Sequence, residues 1–570
     1  MSGMVNEVRA NLKRILERAF NVACSSGALN VDKLPEFVVE VPREKGHGDF
    51  AANLAMMLAK PARMAPRKVA EIFVEYLNKE ITSDSQDGGS VLLDRVEVAG
   101  PGFINFYLNP AWVYEILRVI ETEGSDYGRV MLGAGKKVQV EFVSANPTGL
   151  LHMGNARGAA LGDCLANLLD FAGYQMTREF YVNDAGNQIE NFGLTLEARY
   201  LQLLGQDCPV PEDGYHGQDI IDIMKGFVDK YGDKFLGAPG KVRRMVMINF
   251  ALEEKLRDIR NTLFDFGVRY DVWFSEKTLH ESGAVKEAVT LLKEKGFIYE
   301  KEGALWFKAT DFGVEKDEVV VRSNGVPTYF AADIAYHKNK FERGFDWVIN
   351  IWGADHHGHV SRVKGAVEAI GYNPEALDVI LMQLVRLFRG TDIVRMSKRT
   401  GQFVTLDELM EEVGRDAARY FFVMRGADSH LDFDLELAKS QSNENPVYYI
   451  QYAHARICSI FRQLEEQGGN LPQADKVDLT LLKEDIELEL IRKLADFPEE
   501  IASAAESLAP HRLARYVLEL AGLLHSFYNS HRVIVDDVAL SEARFVLVKG
   551  VKTVIKNALS LLGIAAPEKM

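Results

Sequence analysis

The sequence predicts an α/β protein with a parallel sheet in the middle of the chain, a small α+β unit before it and an all-helical unit after it. Residues 138–182 have the pattern of strand, helix and strand, which is typical of a parallel βαβ unit. Residues 1–110 mix helical and strand patterns. Beyond residue 401, apolar residues recur at the spacings of three and four that mark helices.

Length and composition agree with a folded protein of several domains. The chain has 570 residues, whereas single cores usually stop growing near ~250–300 residues, so about three or four domains are expected. With 47% hydrophobic and 26% charged residues, it is not a mainly disordered, collagen-like or coiled-coil protein. No apolar run approaches the ~18 residues of a membrane span, and the cationic, amphipathic amino end is not a secretion signal.

The cysteine content indicates the cellular compartment, and the net charge bears on which partners the protein can bind. The four cysteines lie far apart and form no C-x-x-C pair, so we expect a reducing cytoplasm and neither a disulfide framework nor a cysteine zinc site. The net charge is −16. Bulk charge therefore gives no indication of nucleic-acid binding, and any RNA contact has to use local basic patches.

The first unit, residues 1–110, is predicted to begin with a helix and to end with a pair of strands. A β-rich run follows the helix at 37–41, and a polar, glycine-rich loop is expected at 81–90. The strands at 94–98 and 103–108 are joined by a tight turn at 99–102. The apolar face of the first helix consists of Val8, Leu12, Ile15, Leu16 and Phe20.

The second unit, residues 111–390, carries the predicted parallel sheet. A buried strand at 138–143 leads through a loop at 144–149 into a helix from about 155 to 172, and a strand at 178–182 follows. Further strands of this sheet are expected at 318–321, 348–352 and 379–383. The mostly helical segment at about 190–300 is too long for a crossover, so we interpret it as an insertion.

The remaining chain is predicted to be helical, with residues 391–440 leading into a bundle at 441–570. Two sets of apolar residues each share one helical face, as expected for a bundle core. The sets are Leu490, Ile491, Leu494 and Phe497, and Leu513, Tyr516, Val517, Leu520, Leu524 and Phe527.

A candidate anion site follows the first strand of the predicted sheet, at residues 146–155. Open α/β sheets bind ligands at the carboxyl ends of their strands, and the helix that begins there offers free N–H groups. His152 adds a side-chain donor. Gly154, Gly158 and Gly162 leave a helix stripe without side chains, against which a planar ring could lie. The alternative is that these glycines only permit tight packing and that His152 is a surface residue.

A second candidate pattern is a cationic loop. Arg395, Lys398 and Arg399 lie within five residues and precede Gly401. Such a loop suits a triphosphate, because its cations can follow the charge that develops on transferred phosphoryl oxygens. The alternative is a solvated charge run before a helix. Neither pattern decides the function alone.

Together, the His-x-Gly-His-like motif and the Met-Ser-Lys loop resemble the class I aminoacyl-tRNA synthetases, and the flanking runs resemble the arginyl-tRNA synthetase family. Two of these runs are Glu-Phe-Val-Ser-Ala-Asn-Pro-Thr-Gly at 141–149 and Tyr-Val-Asn-Asp-Ala-Gly-Asn at 181–187. The others lie at 48–50, 100–105, 270–276, 329–333, 352–357 and 448–456. The likeness covers nearly the whole chain.

The resemblance implies a Rossmann-like catalytic domain and a ligase reaction. L-Arginine would be activated by ATP, which enters with Mg²⁺, to arginyl-adenylate and pyrophosphate. The arginine would then move to the 2′-hydroxyl of the terminal adenosine of tRNA-Arg, which has to be bound before the adenylate forms. The resemblance also implies a cytoplasmic monomer that has no permanent cofactor or metal site and no DNA or membrane partner.

The resemblance assigns roles to particular residues. It places Glu276, Tyr329 and Asp333 at the arginine guanidinium, Glu141 and Asn146 near the α-amino group, and His152 near the α-carboxylate. A guanidinium carries five donors, so a pocket of carboxylates and neutral acceptors suits it. The catalytic residues would be His152, Asn155, Arg395 and Lys398. The ATP-binding residues would be His152, Gly154, Asn155, Gly158, Gly353, Asp355, His356, Met396, Ser397 and Lys398.

Two motifs depart from the family pattern. Asn155 replaces the second histidine of the motif, and the loop has Arg395 in place of the first lysine and Arg399 in place of the last serine. Asn155 keeps a donor but cannot carry charge. The histidine-rich run at 355–359 is only a weak zinc signal, because its members are adjacent and have no partner cluster.

The tRNA contacts implied by the resemblance lie at both ends of the chain. Residues 1–110 would bind the tRNA elbow, with Phe103 and Asn105 at a D-loop base. Residues 391–440 would carry the Met-Ser-Lys loop and the helices that contact the stem, and 441–570 would bind the anticodon. In that last domain Tyr448, Tyr452 and Arg456, beside Tyr449 and His454, have the chemistry of a single-strand reader, although half the tyrosines could be core. The local basic patch comprises Lys60, Arg63, Arg67 and Lys68.

Three alternatives are compatible with parts of the pattern. A class I synthetase for another amino acid would not need the set at Glu276, Tyr329 and Asp333. A catalytically silent paralogue that binds tRNA would not need intact His152 and Lys398, although Asn155 keeps this alternative open. A small nucleotidyltransferase on the same sheet would not need so large a tyrosine-rich helical domain.

Overall fold

The computed structural model describes residues 4–40, 42, 47–86, 93–390, 392–394 and 404–570. Its amino-terminal part is an α+β unit, as predicted. The elements are α1 (Met4–Ser25), β1 (Val39–Glu40), β2 (Phe50–Ala52), α2 (Leu54–Ala62), α3 (Pro66–Gln86), β3 (Leu93–Ala99) and β4 (Phe103–Leu108). The strands form an antiparallel sheet in the order β1-β2-β4-β3. The predicted apolar face of α1 is buried at Leu12 and Leu16.

The predicted turn and the predicted loop of this unit have different outcomes. The turn between β3 and β4 is confirmed, and it packs on α3: Gly102 has φ +142°, and a Cβ there would lie 2.9 Å from the backbone of Pro66. The loop predicted at 81–90 is wrong for 81–86, because α3 continues through Gln86. No glycine or proline interrupts the helix before Gly88. Residues 87–90 and Val41, at the end of the predicted β-rich run, lie outside the described residues.

The central part contains the predicted parallel sheet. Its first elements are α4 (Pro110–Glu123), β5 (Lys137–Glu141), α5 (Met153–Phe171), β6 (Gln175–Val182), α6 (Asn187–Leu203), α7 (Gln218–Tyr231), α8 (Gly240–Asp265) and β7 (Val272–Ser275). They continue as α9 (Glu276–Glu281), α10 (Ala284–Glu294), β8 (Ile298–Lys301), β9 (Ala304–Phe307), β10 (Glu318–Val321), α11 (Tyr329–Glu342), β11 (Trp347–Gly353), α12 (His357–Ile370) and β12 (Leu377–Met382).

The order of the strands places a crevice at the carboxyl end of β5. Within the described residues, five parallel strands follow the order β12-β11-β5-β6-β7. The chain continues from β5 to β6 on one side and returns to β11 on the other. The strand order thus reverses at β5, and ligands bind at such switch points in open α/β sheets.

Two predictions about this part are wrong. The strand at Glu318–Val321 belongs to a separate antiparallel sheet, where β10 pairs with β9. Its apolar run indicates a strand, but such a run does not indicate which sheet the strand joins. The helical insertion is also shorter than about 190–300, because β7 returns to the parallel sheet at Val272–Ser275. Helices α6 to α8 pack around a core of their own that includes Phe192, Tyr200, Phe227 and Met247.

The carboxyl-terminal part is mainly helical. Its first elements are β13 (Val385–Arg389), β14 (Asp392–Ile393), α13 (Leu406–Val413), α14 (Arg415–Val423), β15 (Leu431–Asp434) and α15 (Leu435–Lys439). The bundle comprises α16 (Pro446–Glu466), α17 (Asp485–Ala495), α18 (Phe497–Glu506), α19 (His511–Ser530) and α20 (Val538–Leu561). The second predicted apolar face is confirmed, and all residues of both sets are at most 2% exposed. The first set is not on one helix, because α17 ends at Ala495 and Phe497 begins α18.

The prediction that the chain is purely helical beyond residue 401 is wrong at one place. Strand β15 pairs in parallel with β13. A four-residue strand carries too weak a pattern to identify, and its formation depends on the partner strand. No helix in the described part of the chain is long and apolar enough to cross a membrane.

A buried arginine joins the sheet domain to the bundle. Arg419 of α14 is fully buried and donates to Asp163 Oδ2 of α5 at 2.6 Å. It also donates to the main-chain oxygens of Leu562 at 3.0 Å and Phe266 at 3.1 Å. These bonds connect the ends of α8 and α20 to the helix that follows β5.

Candidate active site

A cavity of about 230 Å³ lies at the switch point, at the carboxyl ends of β5, β6 and β11. Four of the predicted site residues line it: Glu141, Asp333, Gly353 and His356. The sequence prediction did not assign site roles to Ser144, Tyr181, Tyr336, His337, Trp352 or His359, which also line it. Most of these six lie in or beside the recognised motifs, but their chemistry alone did not distinguish them from core residues.

The loop after β5 has a strained backbone. Val143 and Ser144 have φ values of +68° and +40°, which L-residues rarely adopt and which cost about 1–3 kcal/mol each. The Ser144 hydroxyl donates to Glu141 Oε1 at 2.9 Å and accepts the N–H of Tyr181 at 3.1 Å. These two bonds stabilise the strained loop and hold one oxygen of Glu141.

The other oxygen of Glu141 belongs to a buried hydrogen-bond chain. Lys340 is fully buried, and its Nζ donates to Glu141 Oε2 at 2.5 Å and to Asn350 Oδ1 at 2.8 Å. Asn350 Nδ2 donates to His337 Nε2 at 2.9 Å, and His337 Nδ1 donates to the main-chain oxygen of Asp333 at 2.8 Å. Burial lowers the pKa of His337 to about 3, so the ring is neutral near pH 7, as this donor order requires.

A second buried carboxylate lies beside Glu141 on the next strand. Glu179 of β6 is in register with Glu141 and is fully buried. It accepts from Arg343 at 2.5 and 2.9 Å and from the Tyr336 hydroxyl at 2.6 Å. Lys340 lies in the last turn of α11, and Arg343 caps its carboxyl end, so the end of this helix neutralises both carboxylates.

Helix α11 also presents Tyr329 and Asp333, which are four residues apart as predicted. Tyr329 is 47% exposed at the amino end of the helix. Asp333 Oδ2 accepts from His359 Nε2 at 2.9 Å. The last histidine of the run at 355–359 therefore contacts Asp333, the residue predicted to bind the guanidinium. The side chains of Asp355 and His356 are 85% and 57% exposed.

Glu276 lies behind the cavity wall rather than in it. It is 3% exposed, and Tyr181, which lines the cavity, lies close enough to it to lower its pKa. Asp184 positions it by accepting from the Ser275 hydroxyl at 2.6 Å and the Lys277 N–H at 2.9 Å. Burial raises the pKa of Glu276, although His280 and Tyr181 oppose that shift.

His152 is the N-cap of α5, and Asn155 completes the cap. His152 Nδ1 accepts the Gly154 N–H at 3.1 Å, and Asn155 Oδ1 accepts the His152 N–H at 3.1 Å. This is a reciprocal capping arrangement. Because Nδ1 is an acceptor, the proton of the neutral ring lies on Nε2. Asn155, which replaces the second histidine of the motif, thus stabilises the start of α5, where His152 lies.

The glycine stripe of α5 divides into two kinds of position. A Cβ at Gly162 would lie 2.2 Å from the Phe142 ring, so the packing interpretation applies there. A Cβ at Gly158 would be 3.7 Å from the nearest atom, in Met382, which is ordinary contact.

Asn146, which is predicted to lie near the α-amino group of arginine, is exposed in the loop before α5.

The predicted cationic loop begins and ends beside described elements. Arg395, Met396, Ser397, Lys398, Arg399 and Gly401 lie outside the described residues. Immediately after that segment, Thr405 bridges His152, and the Leu406 N–H donates to Leu151 O at 2.9 Å. The described chain that follows the loop, at Thr405 and Leu406, is therefore attached to the helix start that carries His152.

The predicted RNA contacts have different surroundings. Lys60, Arg63, Arg67 and Lys68 are all exposed. Phe103 is half-buried, and Asn105 is only 3% exposed, so its side chain lies below the surface of the amino-terminal unit.

In the bundle, two tyrosines present parallel rings. The rings of Tyr448 and Tyr452 have centroids 6.2 Å apart and planes 2° apart, and Tyr452 is 39% exposed. Arg456 lies over the ring of Tyr528 at 4.3 Å. His454 is buried and donates to Pro567 O at 2.8 Å, so it holds the carboxyl-terminal tail and is not part of an RNA-facing surface.

The histidine-rich turn is not arranged as a metal centre. In the described residues, no group of three or more His, Cys, Asp or Glu side chains could hold a metal ion. His359 instead contacts Asp333 and packs beside Trp352, with ring centroids 5.6 Å apart.

Three family models match successive parts of the chain. The arginyl tRNA synthetase N terminal domain matches residues 6–108, the catalytic domain of tRNA synthetases class I (R) matches 118–425, and the DALR anticodon binding domain matches 450–570. A solved structure of Thermus thermophilus arginyl-tRNA synthetase matches with a TM-score of 0.71 over 99% of this chain and 100% of that chain. Its identity is 23%, so this likeness concerns the fold, and the predicted fold class is confirmed.

Two curated relatives are similar over their whole length. The arginine–tRNA ligase of Desulforamulus reducens is 65% identical over 570 residues, and that of Desulforudis audaxviator is 63% identical over 572 residues. Each comparison covers 100% of both chains. With the three matched models, this similarity shows that the chain belongs to the arginine–tRNA ligase family of class I aminoacyl-tRNA synthetases.

Proposed function

We propose that the cavity at the switch point is the arginine site of an arginine–tRNA ligase. Such an enzyme activates arginine with ATP and transfers it to tRNA-Arg. The observation that carries the assignment is an acidic wall on the cavity at the switch point. Asp333 lines the cavity, Glu276 lies behind its wall near Tyr181, and Tyr329 lies one helical turn from Asp333. A guanidinium in the cavity can donate to Asp333, while Glu276 would add negative charge from behind the cavity wall.

The other end of arginine would lie toward β5. Glu141 faces the cavity and Asn146 is exposed in the following loop, so both can accept from the α-amino group. His152, at the start of α5, would contact the α-carboxylate. A lysine substrate offers a single ammonium group, which cannot form the two parallel bonds that a guanidinium makes to the Asp333 carboxylate. An acceptor left unpaired when the substrate closes the site would give the discrimination between the two substrates.

ATP would bind where α5 begins and where β11 ends. The N–H groups of a 19-residue helix and His152 suit phosphates, and Gly353, Asp355 and His356 would lie against the ribose. Gly154, Asn155 and Gly158 would border the nucleotide. Arg395, Met396, Ser397 and Lys398 would approach the phosphates from the loop that ends at Thr405. Mg²⁺ would enter with ATP as part of the substrate.

The chemistry needs no general base. The arginine carboxylate is ionised at pH 7, so it can attack the α-phosphorus directly, with pyrophosphate as the leaving group. The protein then contributes alignment and charge stabilisation. His152 would donate from Nε2, Asn155 from its amide N–H groups, and Arg395 and Lys398 would follow the charge on the departing pyrophosphate.

The tRNA would contact both ends of the chain. The exposed patch at Lys60, Arg63, Arg67 and Lys68 suits the phosphates of the elbow. Phe103 and Asn105 would hold a D-loop base, which requires the Asn105 side chain, now 3% exposed, to be uncovered. The parallel rings of Tyr448 and Tyr452, beside Arg456, suit unstacked anticodon bases. A monomeric state, a cytoplasmic location and the absence of DNA and membrane partners stay predictions.

The first test is ATP–pyrophosphate exchange with arginine and Mg²⁺, with and without tRNA-Arg. We expect exchange with arginine only when tRNA is present, and no exchange with lysine, glutamate or cysteine. Tight binding of tRNA without exchange for any amino acid would support the catalytically silent paralogue. Exchange with a different amino acid would show that the chain is a class I synthetase for that amino acid and not for arginine.

The pKa of Glu276 predicts how arginine use depends on pH. Burial raises this pKa, so on acidification Glu276 becomes neutral at a higher pH than an exposed glutamate. A neutral Glu276 attracts the guanidinium less, and kcat/KM for arginine should therefore fall on the acidic side. Glu276→Gln should lower kcat/KM and remove this acidic limb. Glu281→Gln, whose side chain is 65% exposed on the same helix, should keep it. An unchanged limb in Glu276→Gln would contradict the assignment.

A further inference from the structure

His359 contacts the residue proposed to bind the guanidinium. It lies in the first turn of α12, and its Nε2 is 2.9 Å from Asp333 Oδ2. Both side chains line the cavity and are partly shielded, with exposures of 23% for His359 and 31% for Asp333. Hydrogen bonds to charged groups are stronger than neutral ones, so this contact can fix the carboxylate.

The imidazole is itself held in place. Its ring centroid lies 5.6 Å from that of Trp352 and 5.9 Å from that of Phe330, which it meets nearly edge-on at 72°. The main chain of Asp333 is held separately, by the bond from His337. Asp333 is thus attached at two points, at its carbonyl through the buried chain and at its carboxylate through His359.

A partly exposed aspartate without such a tether can rotate toward water. Binding a planar guanidinium through parallel bonds requires one carboxylate orientation, and ordering a mobile side chain on binding costs affinity. A tether that sets this orientation in advance removes that cost. It requires only an N–H group at the position of Nε2.

We propose that His359 is a positioning residue for arginine recognition, which acts by holding Oδ2 of Asp333 so that the carboxylate faces the cavity. This inference rests on the proposed arginine site. His359 does not need to touch arginine or the reacting atoms for this role.

The test compares four variants by their KM for arginine in the exchange assay with tRNA. His359→Ala should raise that KM by about tenfold, as expected for loss of a hydrogen bond to a charged group, with kcat and the KM for ATP unchanged. His359→Gln can place an amide N–H near the position of Nε2 and should restore most of the affinity. His359→Asn is too short and should behave like the alanine variant. His357→Ala removes an exposed imidazole from the same turn and should have no effect.

A double-mutant cycle separates tethering from a general structural effect. In an Asp333→Asn background, His359→Ala should raise the KM no further, because the two residues act through one contact. An equal loss in both backgrounds would overturn the inference, and so would a glutamine variant as weak as alanine or a parallel rise in the KM for ATP. A wild-type chain without arginine-dependent exchange would instead overturn the arginine site itself. If His359→Ala does not fold, the glutamine and asparagine variants still test the inference. Glutamine should keep most of the affinity for arginine, and asparagine should lose it.

Discussion

Asp333→Asn is expected to lower kcat/KM for arginine by about two to three orders of magnitude. The substitution keeps the size of the side chain but removes the charge that faces the guanidinium. Removing one partner of a buried, hydrogen-bonded charge pair costs about 2–5 kcal/mol, and Asp333 lies on the cavity wall. The measurement is arginine-dependent ATP–pyrophosphate exchange in the presence of tRNA, with the KM for ATP followed in the same assay.

The matched control for Asp333 is a carboxylate on the same helix. Glu342 lies at the carboxyl end of α11, and its side chain is 49% exposed. Glu342→Gln should leave the kinetics unchanged. If Asp333→Asn changed the KM for ATP as much as that for arginine, Asp333 would support the fold of the site generally and would not be the guanidinium partner.

Lys340→Met should be the most destabilising single change at the site. Lys340 is fully buried against Glu141, and Glu179 lies in register with Glu141 on the next strand. Without Lys340, Glu141 would be a buried carboxylate with no compensating cation. Breaking such a pair costs about 3–5 kcal/mol. Urea unfolding monitored by tryptophan fluorescence measures this loss.

Two further variants test the reason for that loss. Lys338→Met, two residues away on the same helix, removes a more accessible lysine paired with Glu342 and should cost less than about 1 kcal/mol. Glu141→Gln combined with Lys340→Met removes both charges and should regain much of the stability, since the penalty comes from an unpaired buried charge. A double variant no more stable than Lys340→Met would show that lost packing, and not charge, dominates.

The regular elements were predictable where their patterns are local. The helix α19 could be predicted because its apolar residues recur at spacings that one helix face requires, and β5, α5 and β6 follow one another within a short segment. Predictions failed where an element depends on a distant partner. Strand β15 forms against β13, and β10 joins β9 rather than the parallel sheet. Neither partner can be identified from four residues.

The candidate site divides in the same way. The sequence by itself determined the family, the strand ends that carry Glu141 and Gly353, and the helix that carries Tyr329 and Asp333. These features are motifs or helical spacings, which are properties of short segments.

Only the tertiary structure decided how those residues are held. Lys340 reaches Glu141 across 199 residues of chain, and His359 reaches Asp333 only because α12 packs against α11. Burial then decides the chemistry, since it lowers the pKa of His337 and raises that of Glu276. The physical reason is that local spacing sets which face a side chain occupies, whereas its partner and its exposure to water are set by elements far away in the sequence.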